Sequence, residues 1–113
     1  MFDDLTNRII DFRDERDWKQ FHSPKNLAGS IVIEAAELLE TLQWSSDATI
    51  AADVEANRED IARELADIAI YCLLMAHESG IDLEAAITEK LCENAAKYPV
   101  GKARGSRAKY TEL

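Results

Sequence analysis

Apolar residues recur along most of the chain at the period of an amphipathic helix. The alternation of apolar and polar residues that is typical of a strand is nearly absent. Scarce prolines and glycines mark the boundaries, and the pattern predicts four helices. These lie at about residues 3–21, 27–44, 58–79 and 83–97, with Asn26 and Asp82 as the N-caps of the second and fourth.

The segments between these helices are short and polar. Residues 45–57 are predicted to be a loop with at most one helical turn, and Gly80 is well placed as the C′ residue of the third helix. Pro99 lies just beyond the fourth helix, and the basic tail that follows lacks periodicity. No repeat or long linker interrupts the chain. We therefore expect one domain, residues 1–113, of the all-α class, with a four-helix-bundle-type protomer.

The third helix carries an almost continuous apolar run at residues 65–76, interrupted only by Asp67 near its start. A helix that is apolar nearly all round must be covered on every side. Three neighbouring helices are few for this, so we expect a homo-oligomer, a dimer or a tetramer, to complete the core. The alternative is a helix fully wrapped within a monomeric bundle.

Composition narrows the range of partners. The formal net charge is −9, which argues against non-specific binding to DNA, RNA or an anionic membrane. A phosphate ligand would approach such a chain only where a divalent cation or a cluster of Lys and Arg offsets the repulsion. The chain shows neither a signal-peptide pattern nor an apolar run long enough to span a bilayer, so the cytoplasm is the expected compartment. Cys72 and Cys92 are predicted to be buried, reduced thiols.

Four acidic residues stand beside the apolar faces of the second and third helices. On a helical wheel Glu34 falls inside the apolar stripe and Glu37 lies on its flank, while Glu64 and Asp67 flank the stripe of the third helix on one side. A buried lone carboxylate is unfavourable unless it is neutralised, paired with a cation or bound to a metal. The position of Glu34 is therefore the least ordinary of the four.

Antiparallel packing of these helices would bring the two carboxylate pairs together, and a cation would have to offset their repulsion. Hard oxygen ligands without a cluster of Cys or His point to Mg²⁺ or Mn²⁺. Each pair alone is common on solvated helix faces. The open alternative is therefore a non-catalytic helical oligomerisation or regulatory module.

Several short motifs then occur in a characteristic order along almost the whole chain. They are RDWKQFH at 16–22, PKNL at 24–27, EAAELLE at 34–40, QW at 43–44, ELADIAIY at 64–71, Lys90, Asn94, YPV at 98–100, RGS at 104–106 and KYT at 109–111. This ordered set resembles the MazG-like nucleotide pyrophosphohydrolases, most closely the branch typified by dCTP pyrophosphatase.

The resemblance implies an all-α oligomer that hydrolyses a nucleoside triphosphate to the monophosphate and pyrophosphate. It implies that Glu34, Glu37, Glu64 and Asp67 bind Mg²⁺ and form the catalytic site. A metal-activated water would attack the α-phosphorus without a covalent nucleophile, and Glu37 is the candidate to orient it. The expected substrate is dCTP or a modified dNTP, and the expected role is cleansing of the nucleotide pool.

The resemblance also implies substrate contacts from one segment and two further aromatic residues. These are Trp18, Lys19, Gln20, Phe21, His22, Trp44 and Tyr71. Aromatic residues of this set suit base stacking, although core packing is the better expectation for Phe21 and a surface cap for His22.

Cationic and polar residues near the C-terminus are candidates for holding the phosphates as a group. They are Lys90, Lys97, Arg104, Arg107 and Lys109, and the resemblance adds Asn94 as a substrate-binding residue. The alternative is that these cations are simply solvated.

One residue departs from the family pattern at a position that bears on base specificity. Ile9 stands where the cytosine-preferring animal enzymes carry a histidine, so the preferred base stays open. Other all-α pyrophosphatases, such as a dimeric dUTPase or a phosphoribosyl-ATP pyrophosphohydrolase, are the related alternatives.

Overall fold

The computed structural model describes residues 2–113, and within them it contains helices and no strand. The α-helices are α1 (Asp3–Glu15), α2 (Pro24–Glu40), α3 (Ile50–Ala56), α4 (Arg58–Glu78), α5 (Leu83–Lys97) and α6 (Val100–Ala103). Short 3₁₀ helices cover Lys19–Phe21 and Tyr110–Glu112. The all-α prediction is thus confirmed. The chain divides into two compact units, one ending at Ile81 and one beginning at Asp82, and each is described by itself.

The first unit is organised around the pairing of α2 with α4, and α1 and α3 also pack against α4. Its core contains Leu27 of α2, whose surface is only 1% exposed, and Leu73, Leu74 and Ala76 of α4. The side-chain amide of Asn57, which precedes α4, donates to the carbonyl of Thr41, which follows α2, at 2.9 Å. The end of α2 therefore meets the start of α4, and the two helices run antiparallel.

The first predicted helix is wrong at its C-terminus, because α1 ends at Glu15 and not at residue 21. Asp17 adopts a φ of 53°, in the left-handed region. The Trp18 N–H donates to the Arg13 carbonyl and the Asp17 N–H to the Asp14 carbonyl, which is the Schellman arrangement of a helix end. Glycine usually occupies the left-handed position, and aspartate is one of the few other residues that tolerate it.

The second predicted helix is shifted at both ends. Ser23, not Asn26, is the N-cap, since its hydroxyl accepts from the Asn26 N–H at 3.2 Å and Pro24 occupies the first turn. At its C-terminus α2 stops at Glu40, and residues 41–44 form turns. Trp44 is therefore not on the helix that carries Glu34.

The later boundaries agree better with the sequence. Gly80 has a φ of 65° and follows α4 as the predicted C′ residue, and Asp82 caps α5 by accepting from the Ala85 N–H at 3.0 Å. The predicted loop at 45–57 is wrong in extent, because it contains the whole of α3.

Two side chains are more exposed than the sequence suggests. Cys72 is half-buried, but Cys92 is exposed, so the predicted burial of the second thiol is wrong. Phe21 is 61% exposed, which contradicts its predicted place in the core. No helix among residues 2–113 is long and apolar enough to cross a membrane.

Candidate functional site

The packed helices α2 and α4 bring three carboxylates together. One carboxylate oxygen from each of Glu34, Glu37 and Glu64 lies within 4.8 Å of the others. The i, i+3 spacing of Glu34 and Glu37 places both on one side of α2, and the antiparallel pairing supplies Glu64 from α4. Three of the four acidic residues selected from the sequence therefore form one cluster.

Two oxygens of this cluster are buried without a partner. The Oε2 atoms of Glu34 and Glu64 have no hydrogen-bond donor in the part of the chain that the structure describes. Burial raises the pKa of Glu34 to about 7, and the neighbouring carboxyl groups of Glu64 and Glu37 act in the same direction. Burial also raises the pKa of Glu64. The fold thus holds these groups where ionisation is unfavourable without a cation.

Asp67 lies outside the closest group of three but acts on it electrostatically. Its negative charge contributes to the raised pKa of both Glu34 and Glu64. Asp67 follows Glu64 by three residues on α4 and also lines a neighbouring cavity. It therefore acts on the carboxylate cluster and also borders that cavity.

The donor set fits a hard divalent cation. Carboxylate oxygens are the ligands that Mg²⁺ and Mn²⁺ prefer, and the unpartnered Oε2 atoms of Glu34 and Glu64 are free to coordinate. A divalent charge would also stabilise the ionised carboxylates against the burial and the repulsion that raise the two pKa values. These observations make the cluster a candidate metal centre.

A cavity of about 270 Å³ lies in the first unit beside Asp67. Aromatic and aliphatic side chains form most of its wall, and a few polar groups join them. The lining residues are Ile9, Phe12, Arg13, Trp18, His22, Asp67, Ile70, Tyr71 and Leu74. Apolar walls with a few convergent polar groups are typical of small-molecule sites.

Trp18, His22 and Tyr71 are the predicted substrate residues that line this cavity. The Trp18 ring meets Phe12 edge-on with centroids 5.8 Å apart. The Nδ1 atom of His22 is buried and has no hydrogen-bond partner among residues 2–113, so His22 is not a simple surface cap. The reversal of the chain at Asp17 carries both Trp18 and His22 into the cavity wall.

The other predicted substrate residues of the first unit do not line this cavity. Lys19, Gln20 and Phe21 form the exposed 3₁₀ turn, where the Gln20 amide donates to the Asp17 carboxylate at 3.2 Å. Trp44 is 89% exposed and lines a separate shallow groove at the end of α2.

The remaining predicted substrate-binding and phosphate-binding residues belong to the second unit. Lys90, Asn94 and Lys97 lie on α5, and both lysines contact Glu93 Oε1, at 3.4 Å and 2.9 Å. The Lys97 ammonium also lies 4.9 Å from the centre of the Tyr110 ring. The cations of the tail, Arg104, Arg107 and Lys109, follow α5.

Arg13 is a charged residue of the cavity that was not selected from the sequence, and neither were the apolar lining residues Phe12, Ile70 and Leu74. Only 3% of the surface of Arg13 is exposed, so it is a buried cation. The signal was present, because Arg13 stands four residues after Ile9 on an otherwise apolar stripe of α1. The long aliphatic stem of arginine, however, makes such a position equally compatible with a solvated head group.

The sequence model of the MazG-like family matches residues 30–113. The chain is 40% identical to dCTP pyrophosphatase 1 of Rattus norvegicus and 39% identical to that of Homo sapiens, each over 113 residues. These alignments cover 98% of this chain and 66% of each relative, so the chain spans just under two thirds of their length.

A solved structure is also similar. The crystal structure of a pyrophosphatase from Archaeoglobus fulgidus matches with a TM-score of 0.84 and 38% sequence identity. The match covers 87% of this chain and 92% of that one. Sequence and fold thus point to the same group of proteins.

Proposed function

This chain belongs to the MazG-like family, and from that premise we propose that it hydrolyses a (deoxy)nucleoside triphosphate to the monophosphate and pyrophosphate. The observation that carries the proposal is the cluster of Glu34, Glu37 and Glu64, with two buried oxygens that lack a donor among residues 2–113. A solvated acidic face does not bury unpartnered carboxylate oxygens, because each would cost free energy.

Glu34, Glu37, Glu64 and Asp67 would hold Mg²⁺, with Mn²⁺ as the alternative. Such a cation supplies neutralisation of phosphate charge and a bound water of lowered pKa. The half-buried Glu34 and Glu64 would serve as fixed ligands from the two helices. Glu37 would orient the attacking water as a hydrogen-bond acceptor.

The cavity beside Asp67 would receive the nucleobase. Trp18 and Tyr71 offer aromatic faces, and His22 offers a buried nitrogen that is free to bond a base edge. The relatives named dCTP pyrophosphatase 1 support dCTP as the substrate. A modified dNTP is the alternative, and cleansing of the nucleotide pool in the cytoplasm would be the role. Lys90 and Lys97, with the cations of the tail, would bind the outer phosphates, and Asn94 would contact the substrate.

A homo-oligomer, a dimer or a tetramer, completes the proposal, and each protomer would be one domain of residues 1–113. Large apolar side chains on both central helices of the first unit are exposed, among them Val32, Ile33, Leu39 and Leu65. Exposed apolar surface of this kind favours association with another copy.

A panel of normal and modified NTPs and dNTPs with Mg²⁺ tests the activity, with pyrophosphate and orthophosphate measured separately. We expect pyrophosphate in equal amount to the monophosphate, and loss of turnover on chelation or in Glu34→Gln. Glu59→Gln, an exposed carboxylate on α4, is the matched control and should keep full activity. Orthophosphate as the product, or no turnover of any nucleotide, would contradict the proposal, and a preference for dUTP alone would favour a dUTPase.

A further inference from the structure

Arg13 is a buried cation in the wall of the cavity, and its neighbours engage only part of its guanidinium. The Nε atom donates to the carboxylate of Asp14 at 3.0 Å, and Nη1 donates to that of Glu78 at 2.5 Å. The bond to Glu78 also joins α1 to α4. Two acidic partners hold the guanidinium plane in one orientation.

Arginine carries five N–H donors and no acceptor. The bonds to Asp14 and Glu78 use one donor on Nε and one on Nη1, and Nη2 donates to no acceptor among residues 2–113. Only 4% of the Arg13 side chain is exposed, so these remaining donors are largely removed from bulk water. A buried guanidinium with unused donors is best satisfied by a ligand that supplies acceptors.

Arg13 also keeps its charge in this position. Burial opposes the charged form, but hydrogen bonds and charge interactions with Asp14 and Glu78 outweigh it and raise the pKa of Arg13. The guanidinium therefore acts only as a donor at any working pH. A ligand edge that presents a hydrogen-bond donor would be repelled by it.

The cavity suits a planar heterocycle in its size and in its walls. Its volume is about 270 Å³, and Trp18 and Tyr71 supply aromatic surface while Ile9 and Ile70 supply apolar surface. Because the aromatic and apolar walls contact the faces of a ring without distinguishing its edges, edge selection falls to the polar side chains. Among these Arg13 is the permanent cation.

We propose that Arg13 is a specificity-determining residue that reads a base edge where a carbonyl oxygen adjoins an unprotonated ring nitrogen. Cytosine presents this pair as O2 and N3, and guanine presents it as O6 and N7. Thymine and uracil place a protonated ring nitrogen beside their carbonyl groups, and adenine places an amino donor beside its ring acceptors. The identification of the ligand as a nucleotide rests on the proposed function, whereas the order of preference follows from Arg13.

The first test uses the unaltered protein, so it does not depend on the folding of any variant. Binding of dCMP, dGMP, dTMP, dUMP and dAMP is measured by titration calorimetry without metal, and kcat/KM is measured for the five triphosphates with Mg²⁺. We expect dCMP or dGMP to bind about tenfold more tightly than the other three, the size of a typical discrimination by arginine. Equal binding of all five would overturn the proposal.

The second test replaces Arg13 and compares three variants. Arg13→Lys keeps the charge but loses the planar fork, and we expect it to reduce the preference among bases by about tenfold. Glu78→Gln removes the charge of the partner but leaves Arg13 and an acceptor in place. Arg63→Gln removes an exposed arginine on α4 that pairs with Asp60. The last two should keep the wild-type order of bases.

The outcomes separate the two proposals. Suppose that Arg13→Lys weakens the binding of every base equally, that Glu78→Gln does the same, and that both variants have a lower melting temperature. Arg13 and Glu78 would then form a purely structural ion pair, and the proposed role of Arg13 in base discrimination would be overturned. If the monophosphates are discriminated through Arg13 but no triphosphate is hydrolysed, the role of Arg13 in base discrimination would stand. The proposed hydrolase activity would be contradicted.

Discussion

Glu34 on α2 and Glu64 on α4 each bury an Oε2 atom that receives no hydrogen bond from residues 2–113. The two residues also contribute to one group of carboxylate oxygens within 4.8 Å. The pairing of the two helices therefore holds negative groups together at the cost of some stability. The proposed cation would relieve that cost.

Binding of Mg²⁺ should stabilise the fold. A ligand that binds only the folded state adds RT ln(1 + [L]/Kd), or about 2.7 kcal/mol at a hundredfold excess over Kd. We expect the melting temperature to rise with Mg²⁺ and the rise to be largely lost in Glu64→Gln. Differential scanning calorimetry with Mg²⁺ or with EDTA measures both. The same rise in Glu64→Gln as in the unaltered protein would exclude Glu64 as a ligand.

The metal-free protein should lose stability as the pH rises from about 4.5 to about 7. The pKa of Glu34 is raised by burial to about 7, above its ordinary value of 4.5, so the folded state binds this proton more tightly than the unfolded state does. Its contribution is complete below pH 4.5 and is lost as the pH passes through about 7. Urea unfolding in EDTA at several pH values measures the slope.

Glu34→Gln is the variant that checks this assignment. It removes the titrating group and keeps a side chain of similar shape, so the slope between pH 4.5 and 7 should become shallower. Glu64 titrates in the same raised direction, so a residual slope should remain. Glu59→Gln serves as the exposed control and should retain the original slope. An unchanged slope in Glu34→Gln would refute the assignment.

The turn after α1 should be sensitive to a branched side chain. Asp17 has a φ of 53°, where a non-glycine residue pays about 1–2 kcal/mol and a β-branched residue pays more. We expect Asp17→Val to lower the free energy of unfolding and Asp17→Gly to leave it unchanged or raised. Urea denaturation measures both. A loss in Asp17→Gly as large as in Asp17→Val would show that the Asp17 side chain, which accepts from Gln20, matters more than its backbone.

The periodicity of the chain was sufficient to predict the helical class, the bounds of α5 and the stop at Gly80. It was not sufficient at Asp17, because the end of α1 depends on a left-handed aspartate where a glycine would be the usual signal. The carboxylate pairs could be chosen from the wheel, since Glu34 falls within the apolar stripe. Their convergence depends on the pairing of α2 with α4, which is a tertiary contact that the periodicity of single helices does not predict.

The cavity was harder to predict from the sequence. Arg13 could have been read as a solvated arginine, because its burial depends on Glu78, sixty-five residues away. The predicted second helix includes Trp44, but α2 stops at Glu40. Side chains at helix ends are therefore where wheel geometry fails first.

The core position of Leu27 gives a prediction about the support of the site. Leu27 is 1% exposed on α2, two helical turns before Glu34. Truncation of a buried leucine to alanine costs about 2–5 kcal/mol. Leu27→Ala should therefore lower the melting temperature strongly, whereas Lys25→Ala, at an exposed polar position of the same helix, should change it little. Thermal denaturation by circular dichroism compares them, and equal losses would contradict the place of Leu27 in the core.

Asp67 connects the carboxylate cluster with the cavity, and Asp67→Asn separates its two effects. Loss of its charge removes one source of the raised pKa of Glu34, so the midpoint of the Glu34 titration should move down toward 4.5. Carboxyl chemical shifts in a ¹³C NMR titration measure this directly.

The same variant, Asp67→Asn, should lower Mg²⁺-dependent turnover by roughly a hundredfold or more, the scale of losses seen when a group acting on transition-state charge is removed. Asp60→Asn, on the exposed side of α4, is the control and should change neither quantity. A shifted Glu34 titration with full turnover would leave Asp67 an electrostatic neighbour but remove it from the proposed metal ligands.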